Sequence, residues 1–324
     1  MTNCPPPYRP FRGAAPPHFV DRADFEEIGA AGIVATSLAA CGAGPVDPRF
    51  HRLVVSAPAL GKTALARAVG REVAGRLGWV VVFHRCRAKE RALQDVATEA
   101  LAGMQRLWSR PSERPGAGPF PAAVAAATPW PRPRPGHPAG RGLMPVQQLR
   151  RLLPAGRNAP WTDLREFFAL AGSFAQHMSR GLMVVLDDAD RLGGAEVDCT
   201  GHLARSLSRD GLPVAFWLTG GPQLGRRFAR AGHVSGSVWP TNLGPFDDSE
   251  GREALVVPAA DRGVEFDEEA LDLLCLAGCG LPLQVQRLGL AAWSASTRRP
   301  GKVSLADAEQ ALKLVVPETV ARAS

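Results

Sequence analysis

The most constraining stretch of this sequence is Arg52-Leu53-Val54-Val55-Ser56-Ala57-Pro58-Ala59-Leu60-Gly61-Lys62-Thr63-Ala64. Its apolar, β-branched start predicts a short strand over Arg52–Ser56, and the alanine- and arginine-rich Lys62–Leu77 predicts a helix. A compact turn ending in Gly-Lys-Thr at a strand-to-helix junction has the layout of a phosphate-binding loop. The chemistry demands that order. Backbone N–H groups at a helix start, backed by the positive end of the helix dipole, wrap a phosphate. A glycine admits the backbone closely, a lysine bridges phosphate oxygens, and a hydroxyl ligates Mg²⁺. On this reading Ser56, Ala57, Pro58, Ala59, Leu60, Gly61, Lys62, Thr63 and Ala64 hold the phosphates of ATP, with Thr63 also on the metal. The full pattern G-x-x-x-x-G-K-[ST] has glycine where this chain has Ser56, and Ala59 is another position where glycine is frequent. Serine is strained if the loop needs positive φ there.

A second signal is Gly181-Leu182-Met183-Val184-Val185-Leu186-Asp187-Asp188-Ala189-Asp190. A buried apolar strand that ends in adjacent carboxylates is the Walker B arrangement. Asp187 is then expected to hold Mg²⁺ through water, and Asp188 to orient or deprotonate the attacking water. The bland alternative is a buried strand with a solvated acidic turn.

Between and beyond these motifs, Trp79–His84 and Pro213–Thr219 read as strands and Val238–Leu243 as a fifth. Helices are expected over Asp21 or Asp24 to Ala40, Lys89–Trp108, Thr162–Arg180 with Thr162 as N-cap, Ala195–Arg209 and Pro222–Ala231. After Pro245 strands vanish, and Asp248–Val256, Asp267–Ala277, Leu283–Ser294 and Ser304–Val315 read as helices. Short strands alternating with helices predict an α/β fold, a parallel sheet sandwiched by helices, followed by a small all-α domain. The expected organisation is a proline-rich tail over residues 1–18, an α/β domain over 19–246, and a helical lid over 247–324. A Pro/Ala-rich insertion over about 109–145 reads as disordered, since ten of the chain's 29 prolines fall between Arg110 and Pro145.

Composition excludes more than it assigns. The net charge of +7 invites a nucleic-acid reading, but only four of the 38 basic residues are lysine, a skew that fits a GC-rich genome. No run of arginines or DNA-binding motif accompanies the charge. The six cysteines form no CxxC pair, and Cys275 and Cys279, four apart on an apolar helix, read as buried small hydrophobes. No apolar run is long enough to span a bilayer, so no membrane is expected, and the cytoplasm is the default compartment. Trp108, Trp130 and Trp161 are candidate partner anchors, but packing onto the core is the default expectation.

Together the Gly-Lys-Thr loop, the Leu182–Leu186 strand with Asp-Asp-x-Asp-Arg-Leu, and Leu212-Pro213-Val214-Ala215-Phe216-Trp217-Leu218-Thr219-Gly220-Gly221-Pro222-Gln223-Leu224 resemble AAA+ P-loop ATPases. The likeness is greatest to the bacterial origin-recognition-like and STAND-like ATP-binding proteins. Phe19-Val20-Asp21-Arg22 resembles the Phe-Val-Gly-Arg motif beside the adenine, with Asp21 replacing glycine. Gly280-Leu281-Pro282 resembles the Gly-x-Pro of the family lid, where Leu283 stands at the usual sensor 2 arginine and Arg287 lies one turn later. The resemblance implies that Thr219 is sensor 1, touching the γ-phosphate or the water, and it makes Arg226, Arg227 and Arg230 candidates for an arginine finger. Thr219 can equally cap the next turn, whereas in so arginine-rich a chain the three arginines read first as an ordinary solvated helix face. Asp188 stands where the family has glutamate, one methylene shorter, so slow hydrolysis of ATP to ADP and phosphate is expected. The implied function is a nucleotide-dependent conformational switch acting on a protein partner, with homo-oligomers allowed. The alternative is a DNA-associated adaptor ATPase of replication-initiator or transposition-helper type, although the stretch after Val315 is too short for the winged helix such initiators append. A small-molecule kinase lacks an acceptor-base constellation.

Overall fold

The middle of the sheet is built from strands that are buried on both faces. Leu182–Asp187 (β3) and Val214–Gly220 (β4) are buried at every position, as a central parallel strand covered on both faces requires. The structure, a computed structural model, describes residues 6–8, 19–20, 51–88, 91–109, 149–151, 153, 161–178, 180–234, 236–296 and 301–321. The expected helix up to Ala40, the expected disorder over 110–145 and the motif residues Asp21 and Arg22 lie outside them.

Five strands run parallel in the order β2-β3-β4-β1-β5, where β1 is Arg52–Val55, β2 is Val80–Arg85 and β5 is Trp239–Asn242. β4 sits between β1 and β3, with Val54 opposite Thr219 and Leu186 opposite Leu218, so these three strands end along one edge. The chain of β1 passes at that edge directly into the loop before helix α1, Lys62–Leu77. The outer strand β5 exposes Trp239 and Pro240, and a proline there blunts the edge because it offers no ladder donor. Helices α2 (Ala92–Ser109), α3 (Trp161–His177), α4 (Gly194–Arg209) and α5 (Pro222–Arg230) complete the alternating pattern. Fully buried Phe167, Phe168 and Phe216 meet edge to face at the heart of the core.

At the start of β1, His51 is fully buried; its Nδ1 accepts the Phe216 N–H at 3.0 Å, so Nε2–H donates to Ser208 Oγ at 2.7 Å. Burial lowers its pKa from 6.5 to about 3, which keeps the ring neutral.

The chain divides into two compact units, one comprising 1–24, 56–68 and 243–324, the other 25–55 and 69–242. The first holds α6 (Asp248–Ala260), α7 (Glu268–Gly278), α8 (Pro282–Ser296) and α9 (Leu305–Ala321). α6 opens with a reciprocal cap, since Glu250 N–H donates to Asp247 Oδ1 at 2.7 Å and Asp247 N–H to Glu250 Oε2 at 2.9 Å. Arg252 joins α6 to α7 by pairing with Asp248, Glu268 and Asp272.

Several expectations are corrected. Two strands do occur beyond Pro245, β6 (Glu265–Phe266) and β7 (Lys302–Val303), paired in parallel; at two residues each they are too short to leave a period in the sequence. Thr162 does not cap α3, which begins at Trp161; its hydroxyl turns to Asp163 instead. Cys279 is not a buried hydrophobe: it is exposed and ends α7 in the left-handed region at φ 48°. Trp161 is 47% exposed and lies against the His202 ring rather than in the core. Of residues 1–18 only Pro6–Tyr8 are described. There Tyr8 is buried in the core of the helical unit with Leu255, Leu288 and Trp293, donating its hydroxyl to Leu255 O at 2.7 Å. No helix among the described residues is long and apolar enough to cross a membrane.

Candidate functional site

The loop after β1 is organised by its own lysine. Lys62 Nζ donates to Ser56 O at 2.9 Å, Ser56 Oγ at 3.1 Å and Ala57 O at 2.8 Å, spanning the turn from its helix end to its strand end. Ala57, Pro58 and Ala59 are exposed, Ser56 and Leu60 are buried, and Gly61, Lys62, Thr63 and Ala64 are half-buried at the first turn of α1. The first intrahelical bond, Leu65 N–H to Gly61 O at 2.9 Å, leaves the preceding amides of the helix start outside the helical ladder.

The strain in this loop is not where the sequence suggested. Among the described residues of the loop, positive φ occurs at Ala59 (69°) and Gly61 (89°), so Ser56 is not in the left-handed region. The substituted first glycine therefore costs little, whereas Ala59 carries roughly 1–2 kcal/mol of left-handed strain. Gly61 is required by its backbone angle rather than by crowding, since a Cβ there would stand 3.7 Å from Pro282 Cγ, an ordinary contact.

The carboxylates at the end of β3 are held by side chains from neighbouring strands. Asp187 is 2% exposed, and Thr219, at the matching end of β4 and 1% exposed, donates its hydroxyl to Asp187 Oδ1 at 2.5 Å. Thr219 thus neither caps the next turn nor stands free; it orients the Asp187 carboxylate. Asp188 follows in the left-handed region (φ 55°, ψ 39°), which swings its side chain off the strand line. Arg85, the last residue of β2 and opposite Asp187 in register, grips it: Nε and a terminal nitrogen each lie 2.8 Å from Asp188 Oδ2. The pairing raises the Arg85 pKa further. Both partners are substantially exposed, so the pair contributes about 0–1 kcal/mol and can open readily.

The candidate arginines separate. Arg227 donates to the carbonyls of Asp190 (3.0 Å) and Leu192 (2.5 Å) in its own chain, while Arg226 and Arg230 are exposed on α5. Arg287 lies half-buried on α8, shortly after Gly280-Leu281-Pro282. Sequence reasoning missed Arg85, which lies just past the strand it assigned to Trp79–His84, and missed the bonds of Asp190 and Arg227.

For Mg²⁺, the donor chemistry fits. Asp187 and Thr63 offer hard oxygens, and Mg²⁺ usually takes one or two protein ligands beside substrate phosphates and water. The described residues accordingly need no cluster of three metal-binding side chains, and none is present among them.

Residues 46–217, more than half of the chain, match the family model described as AAA ATPase domain. No curated protein matches the sequence. Solved structures that share the fold include Cdc6p from Pyrobaculum aerophilum (TM-score 0.53, 16% identity, covering 92% of this chain and 69% of that one). A Walker-type ATPase of Pyrococcus abyssi matches with TM-score 0.51 and 16% identity over 93% of this chain and 72% of that one. The Orc1 protein of Aeropyrum pernix, solved in complex with DNA, matches with TM-score 0.51 and 16% identity over 92% of this chain and 66% of that one. At such identities the likeness shows the fold alone.

Proposed function

Since this chain belongs to the AAA ATPase domain family, we propose that it binds ATP with Mg²⁺ and hydrolyses it slowly in the cytoplasm, as a nucleotide-dependent conformational switch on a protein partner. The observation that carries this reading is the loop Ser56–Thr63, with Lys62 reaching back across its carbonyls at the mouth of α1. When a triphosphate arrives, Lys62 exchanges those carbonyl partners for phosphate oxygens, and the loop amides supply the remaining donors. Held by this chain's oxygens, Mg²⁺ would supply positive charge against the phosphates. Thr63 and Asp187 are its proposed ligands, with Thr219 fixing the Asp187 oxygen that faces it. Asp188 is the proposed group that orients or deprotonates water, and Thr219 acts beside it as the sensor. We read residues 247–324 as the lid and 19–246 as the nucleotide domain.

Slow turnover is supported by two features. Asp188 is shorter than the glutamate of the resemblance, and its carboxylate is occupied by Arg85. Steady-state phosphate release from the purified full chain tests this reading. A rate well below the ~10 s⁻¹ typical of enzymes agrees with it, and a rate at or above that value contradicts slow switching.

A second reading, a DNA-associated adaptor, is favoured by one observation: the Orc1 match was solved with DNA. Retention on DNA at roughly physiological salt, with and without ATP, separates it from the protein-partner switch.

A further inference from the structure

Asp190 and Arg227 form a two-way clasp between the turn that carries Asp188 and the β4–α5 junction. Asp190 Oδ2 accepts the Gly221 N–H at 2.7 Å, the amide just beyond the end of β4. The approach is tight: a Cβ on Gly220 would lie 2.8 Å from that same oxygen, so Gly220 is what lets the carboxylate in. In return Arg227, from α5, donates to Asp190 O at 3.0 Å and Leu192 O at 2.5 Å. Those carbonyls belong to the one-turn 3₁₀ helix Ala189–Arg191 and the residue after it, which Asp188 opens from a left-handed conformation. A short 3₁₀ turn has poor internal hydrogen bonding and holds its shape through such outside partners. Two residues earlier, Thr219 joins Asp187 across the same pair of strands.

We infer that Asp190 and Arg227 are positioning residues for hydrolysis: they lock the turn after Asp188 onto the end of β4, fixing where the Asp188 carboxylate points. The role rests on the ATPase reading above and assigns Arg227 to its own chain rather than to a neighbour's nucleotide. It also ties α5, with Arg226 and Arg230 exposed on it, to the hydrolytic turn, so that displacement of α5 by a partner reaches Asp188.

The test uses the full chain and two readouts, ATP turnover with calorimetric ATP affinity, and amide exchange of Gly221 by NMR. Asp190→Ala is expected to lower turnover about tenfold or more through misplacement of the carboxylate, to leave ATP affinity unchanged, and to speed Gly221 exchange. Asp190→Asn keeps an oxygen that accepts the Gly221 N–H and is expected to restore both turnover and protection. If Asp190→Ala does not fold, Arg227→Lys serves: lysine has no planar fork whose two nitrogens each meet one carbonyl in the present geometry, so turnover falls while affinity holds. Wild-type turnover in Asp190→Ala or Arg227→Lys overturns the positioning role, as does an Asp190→Asn protein as slow as the alanine variant. If the unaltered protein turns over and the variants do too, only this role falls. If the unaltered protein hydrolyses nothing, the ATPase reading falls with it.

Discussion

The candidate phosphate loop and the acidic turn are built by opposite means. The loop Ser56–Thr63 is local: Lys62 bonds to carbonyls five and six residues away, and the backbone does the shaping. The turn at Asp187–Asp190 is assembled from afar, with Asp188 held by Arg85 at a separation of 103 residues, Asp187 by Thr219 at 32, and Asp190 by Gly221 at 31. Local backbone devices tolerate change in side chains, which is why Ser56 replaces a glycine at little expense. A constellation of side chains does not, because each partner is fixed by strand register.

The contrast predicts that side-chain deletions at the turn hit turnover and leave binding intact. Asp188→Asn is expected to reduce turnover by roughly 10²–10⁴-fold with ATP affinity unchanged; parallel loss of affinity in calorimetry would merge the two regions and break the comparison. An acid titration probes the sheet that both share. Unfolded His51 takes a proton near 6.5 but the buried ring only near 3, so protons favour the unfolded chain. Stability is therefore full above about 6.5 and declines as pH falls toward 3. His51→Gln, followed by denaturant unfolding at several pH values, should flatten that decline.

Smaller effects sharpen the distinction. Arg85→Ala releases Asp188 and is expected to raise turnover by up to about fivefold, the equivalent of an exposed ion pair. A fall in turnover would instead make Arg85 a helper of the reaction. Ala59→Gly removes left-handed strain and should stabilise the protein by up to about 1 kcal/mol, after the extra entropy glycine brings to the unfolded chain. Thermal unfolding measures it, and a lower midpoint would show that the loop gains nothing from glycine at that position.

These differences also explain what the sequence made legible. The parallel sheet was visible because β3 and β4 are apolar at nearly every position, a run that only burial on both faces explains. Gly61-Lys62-Thr63 could be proposed from sequence because the chemistry it suggests is contiguous. Arg85 was not, since nothing in a strand-ending arginine says that β2 lies beside β3 with Arg85 opposite Asp187. Arg227 was not singled out for a similar reason: three arginines on one short helix look alike until the carbonyls of the 3₁₀ turn distinguish one. Tyr8, the chain's single tyrosine, sits in a proline-rich stretch whose composition gives no hint that it plugs the helical core, 247 residues from the carbonyl it bonds.

The central claim is that Lys62 and the loop amides grip a triphosphate. Isothermal titration of the full chain with ATP and Mg²⁺, beside Lys62→Ala, tests it most directly. The account predicts saturable binding by the unaltered protein and affinity roughly 10- to 100-fold weaker, or lost, in Lys62→Ala. Equal binding by both proteins, or no heat of association with either, would contradict it.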